Sequence, residues 1–246
     1  MSTTYGIYAV MVFAVVALGV LIMLIPTPGL ERRRKVASRG ARLIFALCGI
    51  PITQIKHAAL PTEPCVVVAN HASYLDGVLM CALLPARFGF VIKREVTQAP
   101  LAHYLLRRIG AYFVERHDRG GSTRDARALV RAAADGRSLA VFPEGTFRKE
   151  RGIRPFKAGA FAAAVSGGHP VVPVAIDGAR AILPAGQWLP RRGPLRVTYL
   201  PTIRCDGEGR EEMRRLADVS RHAILEHLSE PDLKTAPDVA VRRRAS

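Results

Sequence analysis

His71 and Asp76 stand with four residues between them in 69-ANHASYLDG-77, directly after the apolar run Cys65–Val68. An imidazole exchanges a proton near neutral pH, which suits a general base. A carboxylate on one ring nitrogen fixes the tautomer and leaves the other nitrogen to accept a substrate proton. The spacing permits that contact if the chain turns between the two residues and Asp76 enters a helix. The same stretch also reads as a polar turn, with Asn70, Ser73 and Asp76 as turn and capping groups and His71 incidental. H-x4-D alone does not choose between them.

A second candidate is 141-VFPEGTFRKERGIRPFKAGAF-161, where Pro143 and Gly145 bracket Glu144 at the end of an apolar strand. Thr146, the amides near Gly145 and the cations Arg148, Lys149, Arg151, Arg154 and Lys157 form a set that suits a phosphate. A solvated basic loop accounts for Lys149 and Arg151, and less well for Lys157 between Phe156 and Gly159. In 110-GAYFVER-116 an apolar strand delivers Arg116 to its C-terminal end, either as a surface arginine or as a phosphate ligand.

These residues need a scaffold. Short apolar runs at 65–70, 89–93, 111–115, 138–143, 171–176 and 195–200 read as strands, the β-branched ones suited to burial on both faces. Leu101–Ile109, Ser122–Asp135 and Lys157–Ser166 read as helices, and Met213, Leu216, Ala217, Ile224 and Leu228 keep rough helical spacing. Strands alternating with helices predict an α/β fold, a mixed and mostly parallel sheet flanked by helices. The 246 residues fit one domain and an appendage.

The appendage is N-terminal. Ile7–Ile25 runs nineteen residues without a charge, about 28 Å as a helix, close to the thickness of a bilayer's hydrocarbon. Pro26 and Pro28 stop it, and ERRRK (Glu31–Lys35) follows, which the positive-inside rule places on the cytoplasmic side. The expectation is a single-pass transmembrane anchor with the catalytic domain in the cytoplasm. Ala41–Ile52 is too short to span; it suits a short membrane-associated helix or a cover for the core. The divisions expected are 1–60 for anchor and interfacial helix, 61–229 for the main domain and 230–246 for a mobile basic tail. The formal charge of +16 draws the chain to a polyanion; the apolar segment selects an anionic membrane surface over nucleic acid, for which no base-stacking aromatic motif is present. Cys48, Cys65, Cys81 and Cys205 lack paired spacing, so neither disulfides nor a zinc site is expected.

NH-x4-D, G-x-x-F-V-x-R, FPEGT with PFKAG after it, and VVPVAI, in that order from about Pro64 to Ile176, resemble the glycerolipid acyltransferase family, whose best-known members are the 1-acylglycerol-3-phosphate acyltransferases. The resemblance implies transfer of a fatty acyl group from acyl-CoA or acyl carrier protein to the free hydroxyl of a lysophospholipid, here lysophosphatidic acid, with no cofactor; the alternative is an acyltransferase or transacylase for another lysolipid acceptor such as a lyso-ornithine lipid. The resemblance makes His71 the base and Asp76 its orienting partner. Arg116, Glu144, Gly145 and Thr146 fall at acceptor-binding positions; Pro173 shapes the pocket; Lys93 resembles a lysine often seen between the first two motifs, and Lys157 matches the lysine of the PFK segment. Family members often carry Arg directly after the threonine; here Phe147 stands there and Arg148 follows. That departure bears on the acceptor rather than on the reaction.

Overall fold

A run of β-branched residues becomes a strand when both of its faces are covered. The computed structural model describes residues 3–114 and 119–233. Among them Ile52–Lys56 (β1), Val66–Ala69 (β2), Gly89–Lys93 (β3), Tyr112–Val114 (β4), Leu139–Val141 (β5), Val171–Asp177 (β6) and Leu195–Tyr199 (β7) form one sheet in the order β1-β7-β6-β2-β5-β3-β4. Every neighbouring pair is parallel except β6 with β7. The sheet is thus mixed and mostly parallel, as the strand and helix alternation predicts.

Flanking it are α1 (Thr3–Leu24), α2 (Leu30–Leu47), α3 (Leu75–Leu83), α4 (Pro100–Arg108), α5 (Arg119–Ala134), α6 (Gly159–Gly167), the single turn α7 (Ala179–Ile182) and α8 (Gly209–Leu225). Side chains alternate across a strand, and β2 divides its residues accordingly. Val67 and Ala69 share a core with Ile44 and Phe45 of α2 and Leu79 and Met80 of α3. Val66 and Val68 share another with Leu129 of α5, Phe161 of α6 and Leu216 of α8. This double cover explains why β2 reads as an unbroken apolar run.

Two elements differ from the pattern legible in sequence. β1 lies on the anchor side of the boundary drawn at residue 61, yet it pairs along its length with β7. It is an edge strand with four of its five residues exposed, so it needs no apolar run and shows none. In addition, the basic cluster and the apolar piece after it belong to one helix, α2, which ends where Gly49 turns at φ 62° before the strand begins. Its apolar side covers the core, with Ala41, Ile44 and Phe45 buried, while Leu43 and Leu47 stay exposed.

The apolar N-terminal helix is long and apolar enough to cross a membrane, but it is laid against the domain along its whole length. At its start Tyr5 donates a hydrogen bond to the carbonyl of Cys48 and Tyr8 to that of Leu47. At its end Leu24 is fully buried and its carbonyl accepts from Arg108 of α4. In between, α2 approaches so closely that a Cβ on Gly40 would lie 2.3 Å from a methyl of Val20. The outward side, including Met11, Val15, Leu18 and Ile22, is exposed.

At the other end of the chain, residues 230–233 are tied down inside the stretch expected to be a mobile tail. Glu230 accepts from Arg180, Asp232 from Arg221, and Leu233 donates to Ile153. The rest of that stretch, 234–246, lies outside the described residues.

Candidate active site

β2 and β5 are adjacent parallel strands, and their C-terminal ends carry the two sequence candidates. That is where α/β sheets place ligand sites. Asn70 sets the point at which β2 stops. Its side chain imitates one more rung of the ladder, donating to the carbonyl of Ile176 at 2.9 Å and accepting from the Ile176 amide at 2.7 Å. With Asn70 thus buried, the chain must turn, and it enters α3 five residues later.

Asp76 sits in the first turn of α3, fully buried. Its Oδ2 accepts from the amides of Ala72 and Ser73 at 2.7 and 2.8 Å and lies 2.9 Å from Nδ1 of His71. The turn geometry and the histidine–aspartate contact therefore coexist: the carboxylate that braces the turn also holds the imidazole. Because the carboxylate takes the hydrogen on Nδ1, the lone pair is on Nε2. The ring is stacked against Phe142, with centroids 4.3 Å apart, and Phe147 meets it edge-on at 4.6 Å. Phe147 also contacts Tyr74. The residue that departs from the family pattern is thus in contact with the base.

Glu144 joins the two motifs. It follows β5 in a tight turn where Gly145 adopts φ 88°, a conformation that favours glycine. The buried carboxylate accepts from the amide of His71 at 2.8 Å through Oε1 and from the amide of Arg154 at 3.0 Å through Oε2. Both oxygens of Glu144, which the resemblance puts at an acceptor-binding position, are thus engaged by backbone amides. Its part is to lock the histidine turn to the 142–158 loop. Arg221, absent from the sequence candidates, supports the same loop from α8. It donates to the carbonyls of Ile153 and Arg154 and pairs with Asp232. A single arginine on an amphipathic helix carries no local sign of that duty.

Burial pushes the Glu144 carboxyl above its ordinary value of 4.5, against the amides of Arg154 and His71, which pull it down. A raised carboxyl contributes most to stability below the ordinary value, and that contribution is lost as pH rises through the shifted one. Glu144→Ala leaves two buried amides without an acceptor, at roughly 1–3 kcal/mol each. Urea unfolding at neutral pH should show that loss together with lower turnover. Glu144→Gln keeps one acceptor, so it should lose less and should lack the titration.

The remaining candidates are dispersed around this end of the sheet. Thr146 is exposed, and its carbonyl accepts from the Arg154 side chain. Arg148 is exposed, its carbonyl held by Arg180. Lys157 is exposed, and its amide donates to Pro143, which closes the loop. Lys93 ends β3 at the same side of the sheet and pairs with Glu95 at 2.8 Å. Pro173 lies buried in β6 opposite Val68. Arg116 lies outside the described residues. The four cysteines are free, and burial pushes Cys65 and Cys81 up to about 11, which leaves them poor nucleophiles.

A groove of about 730 Å³ bordered by Arg34, Arg39, Arg42 and Arg87 opens at the opposite end, before β3. Three of those arginines are spent on the fold itself, among them Arg42, whose Nε donates to the carbonyl of Ala82 at 2.7 Å. Arg34 donates to the carbonyls of Ala86, Arg87, Ile109 and Gly110, and Arg87 holds Pro61 and Thr62.

Comparison with known proteins places this geometry. The family model described as Acyltransferase matches residues 51–177. The chain is 33% identical over 171 residues to 1-acyl-sn-glycerol-3-phosphate acyltransferase alpha from Homo sapiens, covering 69% of this chain and 60% of that protein. It is 26% identical over 187 residues to 1-acyl-sn-glycerol-3-phosphate acyltransferase from Saccharomyces cerevisiae, covering 75% of this chain and 62% of that protein. The chain thus spans about 60% of the length of these relatives. The crystal structure of the 1-acyl-sn-glycerophosphate (LPA) acyltransferase PlsC from Thermotoga maritima shares the fold, with a TM-score of 0.73 at 21% identity, over 92% of this chain and 98% of that one. More than half of the chain, with both charged motifs in it, falls inside the family match: the chain belongs to the acyltransferase family.

Proposed function

We propose that this protein transfers a fatty acyl group from acyl-CoA or acyl carrier protein to the free hydroxyl of lysophosphatidic acid, giving phosphatidic acid. The observation that carries the proposal is the 2.9 Å contact of His71 Nδ1 with the buried Asp76 carboxylate, fastened by Glu144 to the FPEGT turn. An alcohol is a poor nucleophile at neutral pH because it holds its proton. His71 Nε2 removes that proton as the oxygen attacks the thioester carbonyl. The imidazolium so formed is stabilised by Asp76. Collapse of the tetrahedral intermediate breaks the carbon–sulfur bond, and Nε2 returns the proton to the departing thiolate. The thioester is already activated, so no acyl-enzyme is required, and Ser73 is engaged elsewhere, donating to the carbonyl of Leu183.

The acceptor phosphate is assigned to the exposed basic loop with Arg148 and Lys157, to Lys93 and to Arg116, where it positions the hydroxyl. The contacts at both ends of α1 support its insertion in the plane of the membrane. A helix packed on one domain over its whole length has its outward apolar side free for one leaflet, which this geometry favours over the single crossing that its length allows. The nearby basic residues of α2 suit anionic headgroups.

The test offers the purified full chain a panel of lysolipids with labelled acyl-CoA or acyl carrier protein. Lysophosphatidic acid should be the preferred acceptor, and labelled product from lyso-ornithine lipid alone would transfer the reading to that acceptor. Phe147→Arg, which supplies the guanidinium common after the threonine, should raise the kcat/KM ratio of phosphate-bearing over zwitterionic acceptors about tenfold through a charge-assisted contact. An unchanged ratio would disconnect position 147 from the acceptor.

A further inference from the structure

The segment between β6 and β7 forms a projecting loop that no part of the mechanism uses. Its base is closed by the amide of Arg191 donating to the carbonyl of Ile182 at 2.8 Å, and its tip by that of Gln187 donating to Pro184. At the tip stands Trp188, the one tryptophan of the chain, 83% exposed. Single exposed apolar residues are ordinary, but this one is not isolated. Next to it Leu189 lies against Gly6 of α1, so closely that a Cβ there would sit 2.8 Å from the leucine Cβ. Arg192 stacks over the Tyr5 ring at 4.9 Å. The exposed indole is therefore continuous with the outward apolar side of α1, where Ile7 and Met11 are exposed.

We infer that the 183–192 loop is a second bilayer contact, with Trp188 seated at the membrane interface beside the active site. The occupant is lipid because three properties coincide there. An indole prefers the headgroup level, where its ring is dehydrated and its N–H stays hydrated. The exposed Arg191 and Arg192 flank it with charge that suits phosphates. The patch also continues a helix that is apolar all round, which suits burial on one side and lipid on the other. The loop is tied to the catalytic turn as well, since its Leu183 carbonyl accepts from Ser73, two residues after the histidine, at 2.8 Å. Seating the loop holds the mouth of the site at the height where a lysolipid's hydroxyl lies. The delivery of acceptor rests on the acyltransferase reading; the contact itself does not.

A lone tryptophan makes the test specific, because all indole fluorescence comes from this loop. The full chain is reconstituted into phosphatidylethanolamine–phosphatidylglycerol vesicles whose acyl chains carry bromine either near the headgroup or near the methyl end. Bromine should quench the emission, more strongly from the shallow position, and aqueous acrylamide should quench it weakly. Full quenching by acrylamide with no response to either bromine would overturn the contact, whatever the enzyme's substrate. So would an emission shift seen only on addition of acyl carrier protein, which would assign the patch to a protein. With turnover as readout, Trp188→Ala should raise the KM for acceptor presented in vesicles about tenfold, with the KM for dispersed acceptor unchanged and Trp188→Tyr restoring the vesicle value. Equal KM values for wild type and Trp188→Ala in vesicles would overturn delivery.

Discussion

Replacement of His71 by alanine should leave a folded protein whose kcat/KM for acyl transfer falls by about 10³–10⁴. The side chain is only 17% exposed, but among the described residues it contributes no hydrogen bond to the fold beyond the one to Asp76, and the turn around it is held by the Asn70 side chain and the Asp76 carboxylate. Loss of the imidazole therefore removes the base without releasing the elements that present it. Phe142 and Phe147, which pack on the ring, adjust locally. Circular dichroism and thermal unfolding check the fold, and a labelled-acyl assay checks turnover. Near-normal turnover in the purified variant would remove the base assignment and, with it, the proposed mechanism.

Asp76→Asn should lower kcat by about 10³ while changing KM little. The carboxylate accepts three hydrogen bonds on Oδ2. An asparagine whose carbonyl takes the Oδ2 position still accepts from Ala72, Ser73 and the ring, but its NH₂ then occupies the buried Oδ1 position, where the carboxylate oxygen has no partner among the described residues. The substitution also withdraws the charge that stabilises the imidazolium. A stability loss of about 1–3 kcal/mol is expected beside the kinetic one, because buried donors lose a charged acceptor. The two effects separate in the double variant: His71→Ala with Asp76→Asn should be no slower than His71→Ala alone, since the aspartate acts through the histidine. Additive rate losses would show that Asp76 has a catalytic part of its own.

Much of the scaffold was legible without coordinates because its signals are local. Each of the six apolar runs holds a strand, and the helical segments after them fall where their spacing predicts. Continuous burial of β2 leaves a continuous apolar string, so nothing long-range is needed to find it. β1 escaped for the converse reason: an edge strand with exposed side chains leaves no pattern. The merging of the basic cluster with the apolar piece in α2 also could not be read locally, since charge and apolar segments on one helix look like two elements in a linear string.

The chemistry divides in the same way. Residue types and order, H-x4-D and FPEGT above all, determined by themselves that a base with a carboxylate partner was available and which family the chain resembles. Only the tertiary structure decided what each group is for. Glu144 meets the His71 amide across 73 positions of sequence, Phe147 rests on the imidazole, and both ends of α1 rest on the domain it was expected to anchor. Such contacts depend on which strands become neighbours and where each one ends, and those are settled by the packing of two cores on one sheet, which no window of local sequence contains.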